Sequence, residues 1–389
     1  MNRRTFLELL GAGGAAALLT APGGGCAAKP LGALRPWEGP PGPPGDGDPR
    51  LRLASWALLA PNAHNRQPWL VDLRGDGMDL FVDPRRLLPE TDPASRQIMI
   101  SQGTFLELLA IAATHEGLLA RIELFPEGMV PAGDVGQRPV ARVTLTPQRD
   151  LRKDELFPFI RQRHTNRRPY ADPAPTDREV ADLAASAEGA GIRFRCLREA
   201  PALSRAAALM TEAMRIETAT KRMHAETVAM LRFDDAETEQ LRDGITLPNL
   251  GLTGFRLLVA RSFVSRERAF SPDFLKKTVD ATRAQAFSAP AMGLLSTAGR
   301  SRADEVNVGR AFARLHLTAT KLGLSLHPMS QVLEIESERT RFVTEVLGSP
   351  AEEPQMLFRL GRSAPTPHSP RRDVAACLRT EGNFRRTDS

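Results

Sequence analysis

Between residues 301 and 324 the apolar positions Val308, Phe312, Leu315, Ala319 and Leu322 recur at spacings of four and three. That spacing lines one face of a helix. Its ends are marked too. Ser301 and Asp304 stand where a capping box serves the free N–H groups of the first turn. Lys321 suits the C-terminal end of the dipole, and Gly323 suits a left-handed cap. The same pattern occurs earlier. "GTFLELLAIAATHEGL" at 103–118 aligns with "GRAFARLHLTATKLGL" at 309–324 at a constant offset, so that Gly103 matches Gly309, Leu109 matches Leu315, and Ala113-Thr114 matches Ala319-Thr320. The earlier copy is apolar on more faces and is expected to be the more deeply buried helix.

The flanks extend the repeat. "MDLFVDP" precedes the first helix and "APAMGLLST" the second, and both read as strands. "VARVTLT" and "MLFRLGR" follow as later strands. The expected body is therefore α+β, built from two related halves at 51–150 and 151–389. The second half carries an insert at 203–254, helical at first and loop-like over "DGITLPNLGLTG".

The first 50 residues read differently. An arginine pair at Arg3-Arg4 precedes a short Gly/Ala-rich apolar run, which predicts a twin-arginine export signal over 1–28. An ordinary secretory signal and a membrane anchor are the alternatives, and Cys26 is a candidate for a lipid anchor. Export by this route would make the Tat translocase a transient partner and the periplasm, or another exported location, the destination. Residues 29–50 are dense in Pro and Gly and read as a semi-stiff linker.

Composition narrows the partners. The 389 residues carry a formal net charge of +6, with 25% charged and 5% aromatic side chains. A basic balance favours anionic ligands. Nucleic acid is not the expected partner, because single-strand binders stack bases on aromatics and few are present. Cys196 and Cys377 make no disulfide framework, and no nucleophile-elbow or zinc-protease motif occurs.

Two segments remain. "RQRHTNRRPY" at 161–170 sets Arg161, Arg163, Arg167 and Arg168 around Thr165 and Asn166. A nucleic-acid patch, a solvated surface and a holder for one small phosphate are all compatible with it. "APNAHNRQPW" at 60–69 brackets Asn62, Asn65 and Gln67 with Pro61 and Pro68. Each proline favours an extended residue before it, so the segment is expected to stay open with its amides free to face a flat heterocycle. A structural turn ahead of the strand "WLVDL" is the alternative.

Together these segments resemble the nitroreductase-like flavin proteins. "APNAHNRQPW" is similar to that family's P-S-x-x-N-x-Q-P-W segment, and "RHTNR" to its R-x-S-x-R segment. The later "ARLHLTATKLGLSLHPM", "FRLGRS" and "SPRR" follow in the family's order. Each half here keeps only one of the two site segments, which resembles the exported, fused Acg-type subgroup. The resemblance implies a nitroreductase-like fold in which one chain forms an intramolecular pseudo-dimer, acts as a monomer, and keeps one FMN site. It implies that Arg163, Thr165 and Arg167 hold the FMN phosphate, with Arg371 and Arg372 approaching from the C-terminal end. It places Pro61, Asn62, Ala63, Asn65 and Gln67 along the flavin, and Met329, Ser330 and Gln331 near its N5. The implied activity is FMN-dependent oxidoreduction, with hydride passing through N5 from an unidentified donor to a nitroaromatic, a quinone or a similar small acceptor, and with no acid–base side chain of the protein's own. The competing expectation is an exported protein that sequesters FMN beneath a lid formed by the insert.

Overall fold

The computed structural model describes residues 31–131, 135–189, 191–349 and 351–380. The expected export signal and Cys26 lie outside these residues. The first half runs through helix α1 (Pro49–Ala57), strands β1 (Trp69–Arg74) and β2 (Gly77–Val82), helix α2 (Arg96–His115), and strands β3 (Leu118–Leu124) and β4 (Ala141–Pro147). The second opens with α3 (Asp177–Ala187) and β5 (Arg193–Leu197). Next come α4 (Ala200–Ala219), α5 (Lys221–Ala229), β6 (Leu231–Arg232), α6 (Asp235–Leu241) and β7 (Ile245–Thr246), which fill the stretch expected as an insert at 203–254, and α7 (Gly254–Phe263) at its end. Then come α8 (Pro272–Phe287), β8 (Ala291–Thr297), α9 (Arg302–Lys321), β9 (Ser325–Pro328), the short α10 (Gln331–Glu334) and α11 (Glu336–Phe342), and β10 (Glu353–Gly361).

Each half holds a four-stranded antiparallel sheet. The orders are β1-β2-β4-β3 and β5-β8-β10-β9, so each sheet places its first, second, fourth and third strands side by side. The helix between the second and third strands is α2 in one half and α9 in the other. The two pack against each other where Gly103 faces Gly309. A β-carbon built on Gly103 would lie 1.9 Å from the Val306 carbonyl oxygen, and one on Gly309 would lie 1.9 Å from that of Ile100. The two glycines matched in the sequence repeat thus face each other at the crossing.

The cores are shared across this crossing. Val306, Ala313 and Leu317 of α9 lie in the cluster built on the first sheet, while Ile100 of α2 lies in the cluster on the second. Glu107 of α2 is buried and takes Arg310 and Arg314 of α9, each at 2.9 Å. The second sheet is covered on both faces. Ala291 and Leu295 of β8 point to the α9 side, and Met292 and Leu294 to α4 and α8, the alternation a strand requires. The capping box at Ser301 and Asp304 is formed, and Gly323 sits at φ +69°.

Two expectations change. Residues 30–49 were expected to stay outside any core, yet Gly32–Glu38 forms a 3-10 helix with Ala33 and Trp37 buried. The Trp37 indole donates to the Ser369 carbonyl at 2.8 Å, and the Arg371 N–H donates to the Ala33 carbonyl. One indole and one small side chain suffice to anchor a Pro-rich strap. The segment 60–69 is not open either. His64, Asn65 and Gln67 adopt φ of 46°, 54° and 51°, conformations that cost roughly 1–3 kcal/mol apiece. The Asn62 side chain closes the turn, its Oδ1 accepting from the Gln67 N–H at 2.7 Å and its Nδ2 donating to the Ala60 carbonyl. Proline only biases the residue before it, and at Gln67 the bond to the Asn62 side chain outweighs that bias.

Candidate functional site

The 161–170 segment docks on β9. Thr165 bridges Leu326, and the Asn166 N–H donates to the Leu326 carbonyl at 3.0 Å. This docking turns Arg163 and Arg167 toward the 60–69 turn of the other half. Two adjoining cavities result, sharing Pro61, Asn62, Thr165, Arg167 and Ile245 as walls.

The smaller cavity, about 40 Å³, is cationic and includes Trp37, Arg163, His368 and Arg371 in its lining. Arg163 is buried. Its Nη2 donates to the Leu59 carbonyl at 2.8 Å, while its Nε has no partner. Arg371 donates to the Leu58 carbonyl at 2.8 Å and to Asn65 Oδ1 at 2.6 Å. Arg167 reaches the Asn249 carbonyl at 3.3 Å. Among the described residues, all these acceptors are neutral and none of the three guanidiniums meets a carboxylate. Burial pulls Arg163 down to about 9 and Arg167 to about 10. It also lowers Arg371 well below the usual guanidinium value, with Arg163 adding to the effect. Trp37 floors the cluster, 5.6 Å from the Arg163 guanidinium carbon and 4.9 Å from that of Arg371, and it stacks on His368 at 4.0 Å. Burial and the two arginines hold His368 near pKa 4, so it adds no charge at neutral pH. Isolated buried cations cost several kcal/mol each. Two of them, Arg163 and Arg371, with half-buried Arg167 beside them, make a cleft suited to an anion with several acceptor oxygens. A phosphate monoester fits that donor set.

The larger cavity, about 200 Å³, continues from this cleft. Ser101 and Thr104 of α2, Phe312 of α9, and His327, Ser330 and Gln331 form one side. Glu217 and Met223 of the insert form another. Its far end is acidic, with Asp92, Glu217 and Glu334. Glu334 pairs with Arg96. The Glu217 carboxylate accepts from the Thr227 hydroxyl at 2.6 Å, and burial raises its pKa.

Asp92 accepts from the Ile98 N–H at 3.0 Å in the first turn of α2, while its Oδ1 has no partner. Burial, with Glu334 adding, pushes this carboxyl up to about 8. The folded protein therefore holds a proton that the unfolded chain releases between pH ~4 and ~8, and stability falls as pH rises through that window. Asp92→Asn keeps the acceptor and removes the titration. Its melting temperature at pH 8 is expected to exceed that of the parent by about 2–5 °C, with the gap closing toward pH 5. A gap of the same size at both pH values would show that Asp92 is ionised in the folded state.

No protein-family profile matches the chain. Two curated proteins of Mycobacterium tuberculosis (strain ATCC 25618 / H37Rv) are similar to it. The one named "Putative NAD(P)H nitroreductase Rv3131" is 27% identical over 327 residues, 82% of this chain and 88% of that protein. The one named "Putative NAD(P)H nitroreductase acg" is 27% identical over 333 residues, 82% of this chain and 91% of that protein. Over 82% of its length the chain is thus similar to proteins named as putative nitroreductases. Among solved structures, the FMN-dependent nitroreductase NfnB from Mycobacterium smegmatis in complex with NADPH aligns at 20% identity and a TM-score of 0.32, covering 53% of this chain and 86% of that one. A nitroreductase from Desulfovibrio desulfuricans, described as putative and in complex with FMN, aligns at 16% identity and 0.34, covering 59% and 98%.

In this chain the expected site residues divide into two groups. Pro61, Asn62, Ala63, Asn65, Arg163, Thr165, Arg167, Ser330, Gln331 and Arg371 line one or both cavities. Gln67, Met329 and Arg372 are not among the wall residues. Gln67 is buried behind the turn, donating to the Arg242 carbonyl and accepting from the Arg372 N–H, both at 2.8 Å. The Arg372 side chain donates to the Gln67 and Trp69 carbonyls. Met329 packs into the core beneath β8 and β10. These three shape the wall from behind. Asn65 lines the cationic cleft but spends its amide donors on the Gly244 and Pro370 carbonyls. The Ser330 hydroxyl is likewise occupied, by the backbone of Leu357. Trp37, His368, Asp92 and Glu217 were missed. Only the composition of 30–49 offered a signal, since its lone indole has no reason to sit in a solvated linker.

Proposed function

We propose that this chain is an FMN-binding oxidoreductase of the nitroreductase type, with one site per chain. The observation that carries the reading is the cluster of buried Arg163 and Arg371 with half-buried Arg167, without carboxylates among the described residues, and opening into a chamber between the two halves. FMN, when bound, supplies two-electron transfer between a reduced nicotinamide and a nitroaromatic, quinone or similar acceptor. The protein's own groups bind and shape. The three arginines hold the phosphate through charge-assisted hydrogen bonds, and Thr165 offers a hydroxyl at the junction of the two cavities. The 60–69 turn and β9 form facing walls of the chamber. Glu217, Met223 and Ile245 bring the insert over it and limit water. The matching strand orders and the glycine crossing support reading the chain as a fused pseudo-dimer.

The test is direct. Purified protein is expected to be yellow, to release FMN on denaturation at one equivalent per chain, and to bleach with NADPH in the absence of oxygen. Colourless protein that takes up no FMN would end the proposal. Flavin that resists NADPH but yields to dithionite would support the cofactor and reject this donor.

A further inference from the structure

His327 stands on β9 directly opposite Arg359 on β10. Arg359 is fully buried, and its guanidinium meets the His327 Nδ1 at 2.9 Å from Nη2 and 3.3 Å from Nε. The rest of the guanidinium is held by the carbonyls of Gln285 at 2.8 Å, Asn166 at 3.3 Å and Arg168 at 3.3–3.4 Å, and its carbon lies 4.2 Å from the Tyr170 ring centre. No carboxylate is among these partners. A guanidinium only donates, so Nδ1 must accept and the ring proton must sit on Nε2. Burial, with Arg359 and Arg167 adding, also holds this imidazole neutral. Nε2 has no protein acceptor among the described residues, and His327 lines the larger chamber. The nearby Ser330 hydroxyl is already spent. His327 thus presents this wall with a neutral N–H whose direction is set from behind.

We propose that His327, fixed by Arg359 as its Nε2–H tautomer, is a hydrogen-bond donor to an acceptor atom of the aromatic ligand in the chamber, with Arg359 as its positioning residue. The inference rests on the proposed function only for the identity of that ligand. The acceptor atom is a ring nitrogen or carbonyl of FMN itself, or a nitro or quinone oxygen of the second substrate. The tautomer is independent of both.

Two isosteres separate the inner and outer nitrogens. His327→Asn keeps an inner acceptor for Arg359 and has nothing at the outer position. His327→Gln places an amide N–H near the outer position. Both leave Arg359 a side-chain oxygen to approach, so both are expected to fold. Nitrogen-15 spectra of histidine-labelled protein, assigned by the loss of one signal in the Asn variant, are expected to show the Nε2–H form, unprotonated at Nδ1. FMN affinity is measured by fluorescence quenching on reconstitution, and nitrobenzene affinity by perturbation of the oxidised flavin spectrum. One neutral hydrogen bond predicts an affinity loss of about 3- to 10-fold in His327→Asn for whichever molecule is contacted, with His327→Gln within about 2-fold of the parent. Loss confined to FMN makes the cofactor the partner, and loss confined to nitrobenzene makes it the substrate. An Nδ1–H tautomer, or an Asn variant that binds both probes as tightly as the parent, overturns the proposal. A parent that binds no FMN but shows the Nε2–H form would instead overturn the proposed function and leave the fixed donor standing.

Discussion

Arg163→Ala combined with Arg167→Ala is expected to yield a folded protein without colour. Arg163 is buried and Arg167 half-buried, and among the described residues both meet only neutral acceptors, so each is free to give its charge to a bound phosphate. Charge-assisted hydrogen bonds contribute about 1.5–3 kcal/mol each. Loss of one from each residue predicts roughly a 10²- to 10⁴-fold weaker FMN complex. The unliganded protein should respond in the opposite sense. One buried and one half-buried cation without counter-charges are a burden on the empty fold, so the double variant should melt no lower than flavin-free parent protein, and should melt higher if the cavity closes. Titration of flavin-free parent and variant with FMN, beside thermal melts of both, provides the comparison. A double variant that purifies with a full complement of flavin would show that the phosphate sits elsewhere.

Gly103→Ala is expected to abolish soluble expression, and Gly309→Ala to do the same. The added methyl of Gly103→Ala would fall 1.9 Å from the Val306 carbonyl oxygen and 2.9 Å from both the Arg310 nitrogen and the Gly309 α-carbon. All three are backbone atoms of a helix, so no side chain can turn aside. Separating α2 from α9 would strip Val306, Ala313 and Leu317 from one core and Ile100 from the other. It would also expose the buried Glu107 cluster with Arg310 and Arg314. Overpacking ordinarily costs about 1–3 kcal/mol, and a clash with rigid backbone that opens both cores should exceed that range. Yield in the soluble fraction and the melting temperature of any recovered protein measure the effect. A variant that melts within a few degrees of the parent would mean the helices can slide apart without loss.

The repeat was the most legible part of the fold. Its glycines matched in sequence because the crossing admits no side chain at either position. The strands before and after each helix were readable from their apolar runs, and the α9 cap from Ser301 and Asp304. The site was legible only in pieces. Arg163, Thr165 and Arg167 are spaced so that residues two apart on an extended segment share a side, and the structure brings them to Pro61 and Asn62 as expected. Gln67 and Arg372 sit inside the same motifs yet serve the wall from behind, because a motif records which residues are needed and not which way they face. At 60–69 the turn alternative holds rather than the open segment, because the Asn62 side chain closes it and distant groups, Gly244, Pro370 and Arg371, fix Asn65 within it. Glu217 and Asp92 were unreadable for a related reason. Each carboxyl is ordinary in its own helix or loop and becomes unusual only where the insert covers the chamber.

The strap at Gly32–Glu38 ties retention of the anion to continuity of the backbone far upstream. Trp37 forms the floor beneath two of the arginines and is fastened by non-covalent contacts, among them the Ser369 carbonyl, the stacked His368 ring and the bond from Arg371 to Ala33. Whatever severs the chain between this floor and α1 would turn a tethered clasp into a separate peptide, and the dwell time of any anion held above it would then depend on how often that peptide lets go.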